Sequence, residues 1–208
     1  MKRILKLLAA LLLSAALIAA GLWAFTQFAD YGFAREVSLQ EQELRLQIVT
    51  TAESRLGTRE GDEAHLEILT VYNAHKPLAQ GYAVTETDNW CAAFASAVAI
   101  ECSLTDIIPT ECGCQRQIDL WMDAGRWEEN DNYLPLPGDY IYYAWDEPFQ
   151  LDDCTGWADH VGIVVGTAGP FIKVIEGNWS DSVTYRVIPR NYWQIRGYGL
   201  PDYTAKSA

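Results

Sequence analysis

Positive charge is scarce in this sequence, and what there is of it is unevenly placed. The 208 residues carry 15 Lys and Arg against 28 Asp and Glu, a formal net charge of −13. Three of the 15 (Lys2, Arg3 and Lys6) crowd the N-terminus, so 12 serve everything after. A chain body this acidic has no electrostatic footprint for nucleic acid. Nor does it hold anionic lipid or an anionic wall polymer through charge. Cysteine is absent before residue 91, which excludes a lipid-modified N-terminal cysteine. Internal repeats and low-complexity stretches are absent as well. With 50% of residues hydrophobic and 21% charged, the composition is that of a packed domain and not of a disordered chain.

Charge of either sign is missing from Leu7 to Phe25. As a helix those residues span roughly 28 Å at about 1.5 Å each, close to the hydrocarbon thickness of a bilayer. Lys2, Arg3 and Lys6 precede the run and Asp30 follows it, which orients the remainder to the outside. A cleaved signal peptide is the rival reading. Its apolar region is usually about 7–15 residues long, and "LIAAGLWAF" lacks a clean small-x-small cleavage site. The expected layout is a basic stub (1–6), a transmembrane anchor or signal (7–25), a linker (26–43), a catalytic domain (44–203) and a tail (204–208). The location is then the cell membrane with the domain outside, or secretion if the segment is removed.

Five cysteines remain: Cys91, Cys102, Cys112, Cys114 and Cys154. An odd number in an exported chain leaves one thiol unpaired within the monomer or bonded to a partner. The spacing C-x9-C-x-C-x39-C lacks the close pair typical of zinc sites. No metal or cofactor is expected, although Glu60, Asp62 and Glu63 form an acidic cluster that a solvated helix start explains equally well. With Cys91 free, Cys112 and Cys114 are too close to bridge each other. That leaves Cys102 joined to one of them and Cys154 to the other.

Periodicity sets the fold class. Ser38 and Glu41 form a capping box, and Leu44, Ile48, Ala52 and Leu56 follow at helical steps until Gly57. A second helix starts near Asp62, carries Leu66, Leu69 and Tyr72, and stops before Pro77. A third starts near Asp88 and runs through "NWCAAFASAVAIEC", apolar almost all round and therefore buried. A fourth covers about 114–124, with Ile118, Trp121 and Met122 inward. After residue 130 come short strand-like stretches separated by turns: "LPLPGDYIYYAW", "DHVGIVVG", "PFIKVIEGNW", "SVTYRVIP" and "QIRGYGL". Helices followed by strands predict an α+β domain with helices packed on an antiparallel sheet.

The chemistry-bearing residues fall at informative points of that outline. Cys91 lies in the first turn of the buried helix, with Asp88 as its expected cap. A helix N-terminus favours the thiolate, the nucleophilic form. By itself Cys91 reads equally as a small core residue. His160 opens a strand, and Glu176 and Asn178 close the next one. If the two strands form a hairpin, these groups meet at one end, and a carboxylate or amide can orient the imidazole. Trp90, Trp145, Trp157 and Trp179 are near these residues in sequence, but large aromatics are mostly core and none is assigned to binding.

"DNWCAAFASAVA", "PLPGDYIYY", "DHVGIVVG" and "VIEGNWSDSVTYRVI" together resemble, in order, the blocks of CHAP-domain peptidoglycan hydrolases. The resemblance extends over roughly residues 44–203. It implies a papain-like α+β fold and cleavage of an amide bond in peptidoglycan, either the N-acetylmuramoyl-L-alanine amide or one in the stem or cross-bridge. By position it makes Cys91 the nucleophile, His160 the base, and Glu176 with Asn178 the orienting groups. Many relatives carry glutamine just before the nucleophile. Here Trp90 stands there, preceded by Asn89, so these two are weak oxyanion or substrate candidates and the Cys91 backbone N–H is the firmer donor. Peptidoglycan is the expected partner. Two alternatives stay open: an inactive, membrane-tethered wall-binding or scaffold module, and a cysteine peptidase or amidase with another substrate.

Overall fold

The computed structural model describes residues 12–14, 16–18, 31–130, 132–146 and 154–206. They fall into two units, Met1–Tyr31 and Gly32–Ala208. In the first, residues 12–14 and 16–18 are helical and exposed. The rest of the expected span 7–25 lies outside the described residues. Among those described, no helix is long and apolar enough to cross a membrane, so the anchor reading has no support from the structure.

The second unit is α+β. Four helices come first: α1 (Leu39–Glu53), α2 (Glu63–Ala74), α3 (Cys91–Glu101) and α4 (Cys114–Asp123). Six strands follow: β1 (Trp127–Glu128), β2 (Tyr140–Tyr143), β3 (His160–Ala168), β4 (Phe171–Glu176), β5 (Thr184–Pro189) and β6 (Ile195–Gly199). A last short helix, α5, is Tyr203–Lys206. The strands make one antiparallel sheet in the order β1-β6-β2-β3-β4-β5.

Alternation along the strands divides the apolar side chains between two clusters. Tyr140, Tyr142, Val161, Ile163 and Ile175 face a large core with α1–α4. Ile141, Tyr143, Val164, Ile172, Val174 and Ile188 face a smaller one closed by Ile195, Tyr198 and neighbouring aromatics. The inner strands are therefore buried on both faces. Helix α3 is buried from Cys91 through Ala99, and its alanines let it lie close to the helices and sheet around it.

Helix starts and faces depart from expectation at a few places. Ser38 caps α1 as the capping box requires, accepting from the Glu41 N–H at 3.1 Å. Asp88 does not cap α3: its carboxylate closes a local turn, accepting from the Thr85 N–H (2.7 Å), the Thr85 hydroxyl (2.8 Å) and the Tyr82 hydroxyl (2.7 Å). Leu56, Leu66 and Met122, expected inward, are about 40% exposed. In α1 the expected Ile48 and Ala52 are buried with Val49, but the inward positions of the first turns go to Glu41 and Arg45.

That substitution of charge for hydrocarbon has a reason 94 residues away. Arg45 donates to the Asp139 carboxylate at 2.8 Å, to the Pro137 carbonyl at 3.0 Å and to Glu41 at 2.7 Å. The second Asp139 oxygen accepts from the Tyr133 hydroxyl (2.7 Å) and the Leu136 N–H (2.8 Å). Tyr203 stacks on the guanidinium at 4.5 Å and donates to the Gly138 carbonyl at 2.8 Å. One network thus fastens α1, the Pro-Gly-Asp turn and α5 together, and it aims β2. Removing one partner strands the other charge in the core, at about 3–5 kcal/mol. We expect Asp139→Ala to lose about that much in urea unfolding. The triple variant Glu41→Gln, Arg45→Met, Asp139→Leu should recover part of the loss, because no lone charge remains.

Candidate active site

Two parts of the chain that are distant in sequence meet at the N-terminus of α3. Cys91 is its first residue. No side chain caps this end, and the Ala92 N–H bonds to the sulfur. The second part is the β3–β4 hairpin. Its register pairs Ile163 with Ile175, which carries His160, three residues before, and Glu176, one residue after, to the same end of the sheet. The Asp159 carbonyl lies 3.8 Å from the Cys91 sulfur. The Asp159 carboxylate accepts from the Trp145 N–H at 2.6 Å and fixes the entry to β3.

Two glycines make this approach possible. A Cβ on Gly177 would lie 2.6 Å from the Cβ of Phe94, so any side chain there would push α3 off the end of β4. A Cβ on Gly162 would lie 2.5 Å from Val174 and 2.7 Å from the Glu176 side chain, in the space Glu176 occupies.

The imidazole of His160 is bracketed by charge. Its Nε2 is 3.7 Å from Glu176 Oε2, an ion-pair separation longer than a hydrogen bond. Glu176 is fully buried and pairs with Arg186 Nε at 2.8 Å. The guanidinium of Arg186 in turn sits over the rings of Trp179 (4.0 Å), Tyr143 (4.7 Å) and Trp145 (5.0 Å). The same three rings lie within 6 Å of the His160 ring, so aromatic surface shields the histidine and its carboxylate from water.

Burial disfavours the imidazolium, but the close approach of Cys91 and Glu176 and their negative charge outweigh it and push His160 up to about 9. Cys91 moves the other way. A hydrogen bond from the Cys114 thiol, whose sulfur is 3.6 Å away, pulls it down first; burial opposes, and His160 adds to the lowering. The net result lies well below the ordinary thiol value. Cys114 is correspondingly pushed well above it, because it donates to Cys91 and is itself buried. Both displacements favour a thiolate beside an imidazolium.

The remaining expected residues are placed as follows. Asn178 lies in left-handed backbone, φ 59°, and donates to Asn89 Oδ1 at 3.4 Å. It ties the end of β4 to the lead-in of α3, and no bond from it to His160 is formed. The Trp90 side chain is fully buried in the core. It packs on His65 at 4.6 Å and donates to Glu60 at 3.2 Å, so it offers no donor to an oxyanion. Asp62, from the acidic cluster, caps α2 by accepting from the His65 N–H.

No disulfide joins any of the five cysteines, which departs from the expected pairing. Cys102 bonds to Thr51 and Gln47, Cys112 lies against Glu111 and Gln80, and Cys114 has Cys91 as its sulfur neighbour. The fold sends Cys102, Cys112 and Cys114 into separate surroundings, which chain spacing could not reveal.

Arg186 was not singled out in the sequence. The available signal was a lone cation at an alternate position of "SVTYRVIP", the strand after the one that ends in Glu176. No family model, curated protein or solved structure matches this chain.

Charge at Cys91 is measurable without a substrate. Alkylation by iodoacetamide follows the thiolate, so its rate should hold down to pH values well below the ordinary thiol range. Glu176→Gln removes a group that raises His160, so the histidine should titrate below about 9 in that variant. With less imidazolium beside it, Cys91 should be alkylated with a pH profile displaced upward. An unchanged profile would remove Glu176 from the charge chain.

Proposed function

We propose that this chain is a cysteine hydrolase of the papain-like CHAP type that cleaves an amide bond of peptidoglycan, acting outside the cell. The observation that carries the reading is the meeting of Cys91, at an uncapped start of a buried helix, with a shielded His160 backed by Glu176 and Arg186. The order of the sequence blocks supplies the substrate class. The α+β architecture is compatible with that family's fold. Placement outside the cell, by an anchor or a cleaved signal at 7–25, rests on the charge pattern of the sequence alone.

The chemistry follows from the charge states. Cys91 attacks the scissile carbonyl as a thiolate already formed. The developing oxyanion is met by the backbone N–H groups at the start of α3, where the helix dipole adds to them. The His160 imidazolium then gives its proton to the leaving amine. Neutral His160 next takes a proton from water, which hydrolyses the thioester and releases Cys91. Glu176 holds the imidazolium through both steps, and Arg186 holds Glu176.

Cys91→Ala and His160→Ala should each abolish release of soluble fragments from purified peptidoglycan, with the fold retained by circular dichroism. Because the two act as a unit, the double variant should be little worse than either. Glu176→Ala should cost about 10²–10⁴-fold, the usual worth of acid–base assistance, and Asn178→Ala less. His65→Ala and His75→Ala should keep turnover wherever they fold. Digestion of casein but not of sacculi would move the reading to a peptidase with another substrate. Wall binding by the folded wild type without turnover would leave only a binding module, and undiminished turnover by folded Cys91→Ala would refute the nucleophile.

For the wild type, turnover should fall as pH rises through about 9, where His160 loses the proton it must donate. The acid limb, set by Cys91, should lie well below the ordinary thiol range. Both limbs belong to the pair and not to either residue alone.

A further inference from the structure

We propose that Cys91 and Cys114 form a redox couple, in which Cys114 resolves an oxidised Cys91 to an intramolecular disulfide that a dithiol reverses. This goes beyond the hydrolase reading and does not depend on it.

The two sulfurs are 3.6 Å apart, already in contact. A disulfide needs them about 1.5 Å closer, a displacement within reach of small side-chain rotations. Cys91 opens α3 and Cys114 opens α4, so two helix N-termini converge on the pair. Their position favours an anionic sulfur and makes one of the two a ready target for oxidants. Cys114 is held in place from its own element: the next residue, Gln115, accepts from the Ala158 N–H at 3.1 Å, just ahead of His160. Neither Cys102 nor Cys112 resembles this pair. Each is packed against oxygen-bearing groups, with no other cysteine sulfur among its hydrogen-bond partners, and burial pushes both thiols up.

The co-reactant is a peroxide, small enough to reach a cysteine 4% exposed. The Cys91 thiolate attacks one peroxide oxygen, the O–O bond breaks, and hydroxide leaves, giving the sulfenic acid. The Cys114 sulfur then attacks the Cys91 sulfur as its own proton goes to the departing oxygen, and water leaves. Sulfur is oxidised by two electrons and the peroxide is reduced by two. The disulfide removes the nucleophile, and an external dithiol returns both thiols by exchange.

The test uses the full chain treated with a small excess of hydrogen peroxide. The protein should become lighter by two hydrogens, lose two titratable thiols, and yield a single non-reduced peptide linking Cys91 to Cys114. Alkylation of Cys91 should be lost completely and return completely with dithiothreitol. In Cys114→Ala the same peroxide should instead carry Cys91 to the sulfinic acid, with no recovery on reduction. Two results on the wild type overturn the couple: oxygen retained on Cys91 without a bridge, or a bridge from either residue to another cysteine. These readouts need no turnover. A chain that forms the bridge but digests no peptidoglycan keeps the couple and refutes only the hydrolase reading.

Discussion

A carboxylate with no exposure to water, Glu176, constrains more of this protein than any other group. Charge of that kind costs several kcal/mol to bury, while one unit-charge partner at ~4 Å returns about 4 kcal/mol at an effective dielectric of about 20. A single neighbour is a poor bargain, and Glu176 has two. Arg186 neutralises it at 2.8 Å, and His160 faces it at 3.7 Å. Arg186 brings the same problem with it, and three aromatic rings meet that by presenting their negative faces. His160 in turn has Cys91 as a neighbour, whose thiol is displaced downward beside it. Each charge is thus tolerated because of the next, and the Cys91 sulfur stands at the end of the line.

The backbone has to allow that line to form. Glu176 occupies the space a side chain at Gly162 would fill, and Phe94 occupies the space a side chain at Gly177 would fill. One absent Cβ admits the carboxylate beneath β3; the other brings α3 down until its first residue meets the hairpin end. The small residues of "CAAFASAVA" serve the same purpose from the helix side. At the far end of the sheet Arg45 and Asp139 do comparable work, with α1 packed against the turn that launches β2. Charge in this core joins elements that are distant in the chain, whereas apolar contacts fill the space between them.

This explains which features were legible in the sequence. Fold class was, because a 3.6-residue period in the first half and short turn-bounded strands in the second are local signals. So was the placement of His160 and Glu176 at one end, because a hairpin joined by a tight turn fixes its own register. Arg45 was not: by periodicity its position should be apolar, and only Asp139, 94 residues on, makes an arginine tolerable there. Asp88 has the right type and offset for a helix cap, but Thr85 and Tyr82 compete for it and win. The neighbour of Cys114 is no more legible, for a related reason. Spacing limits which cysteines cannot pair, yet it does not tell which sulfur a second helix start will deliver beside the first.

The alternation of sign from Cys91 through His160 and Glu176 to Arg186 also bears on what kind of site this is. A core cysteine that merely fills space gains nothing from a neighbouring cation, and burial alone drives its thiol upward, as at Cys102. Cys91 is as buried as Cys102 but is displaced in the opposite direction. The difference lies in its partners: a helix start without a side-chain cap, a thiol that donates, and an imidazole whose own proton is secured from behind. Packing requires none of these three. Each of them stabilises negative charge on one sulfur atom, and the last sets beside that atom a proton of the kind that the proposed amide cleavage would use.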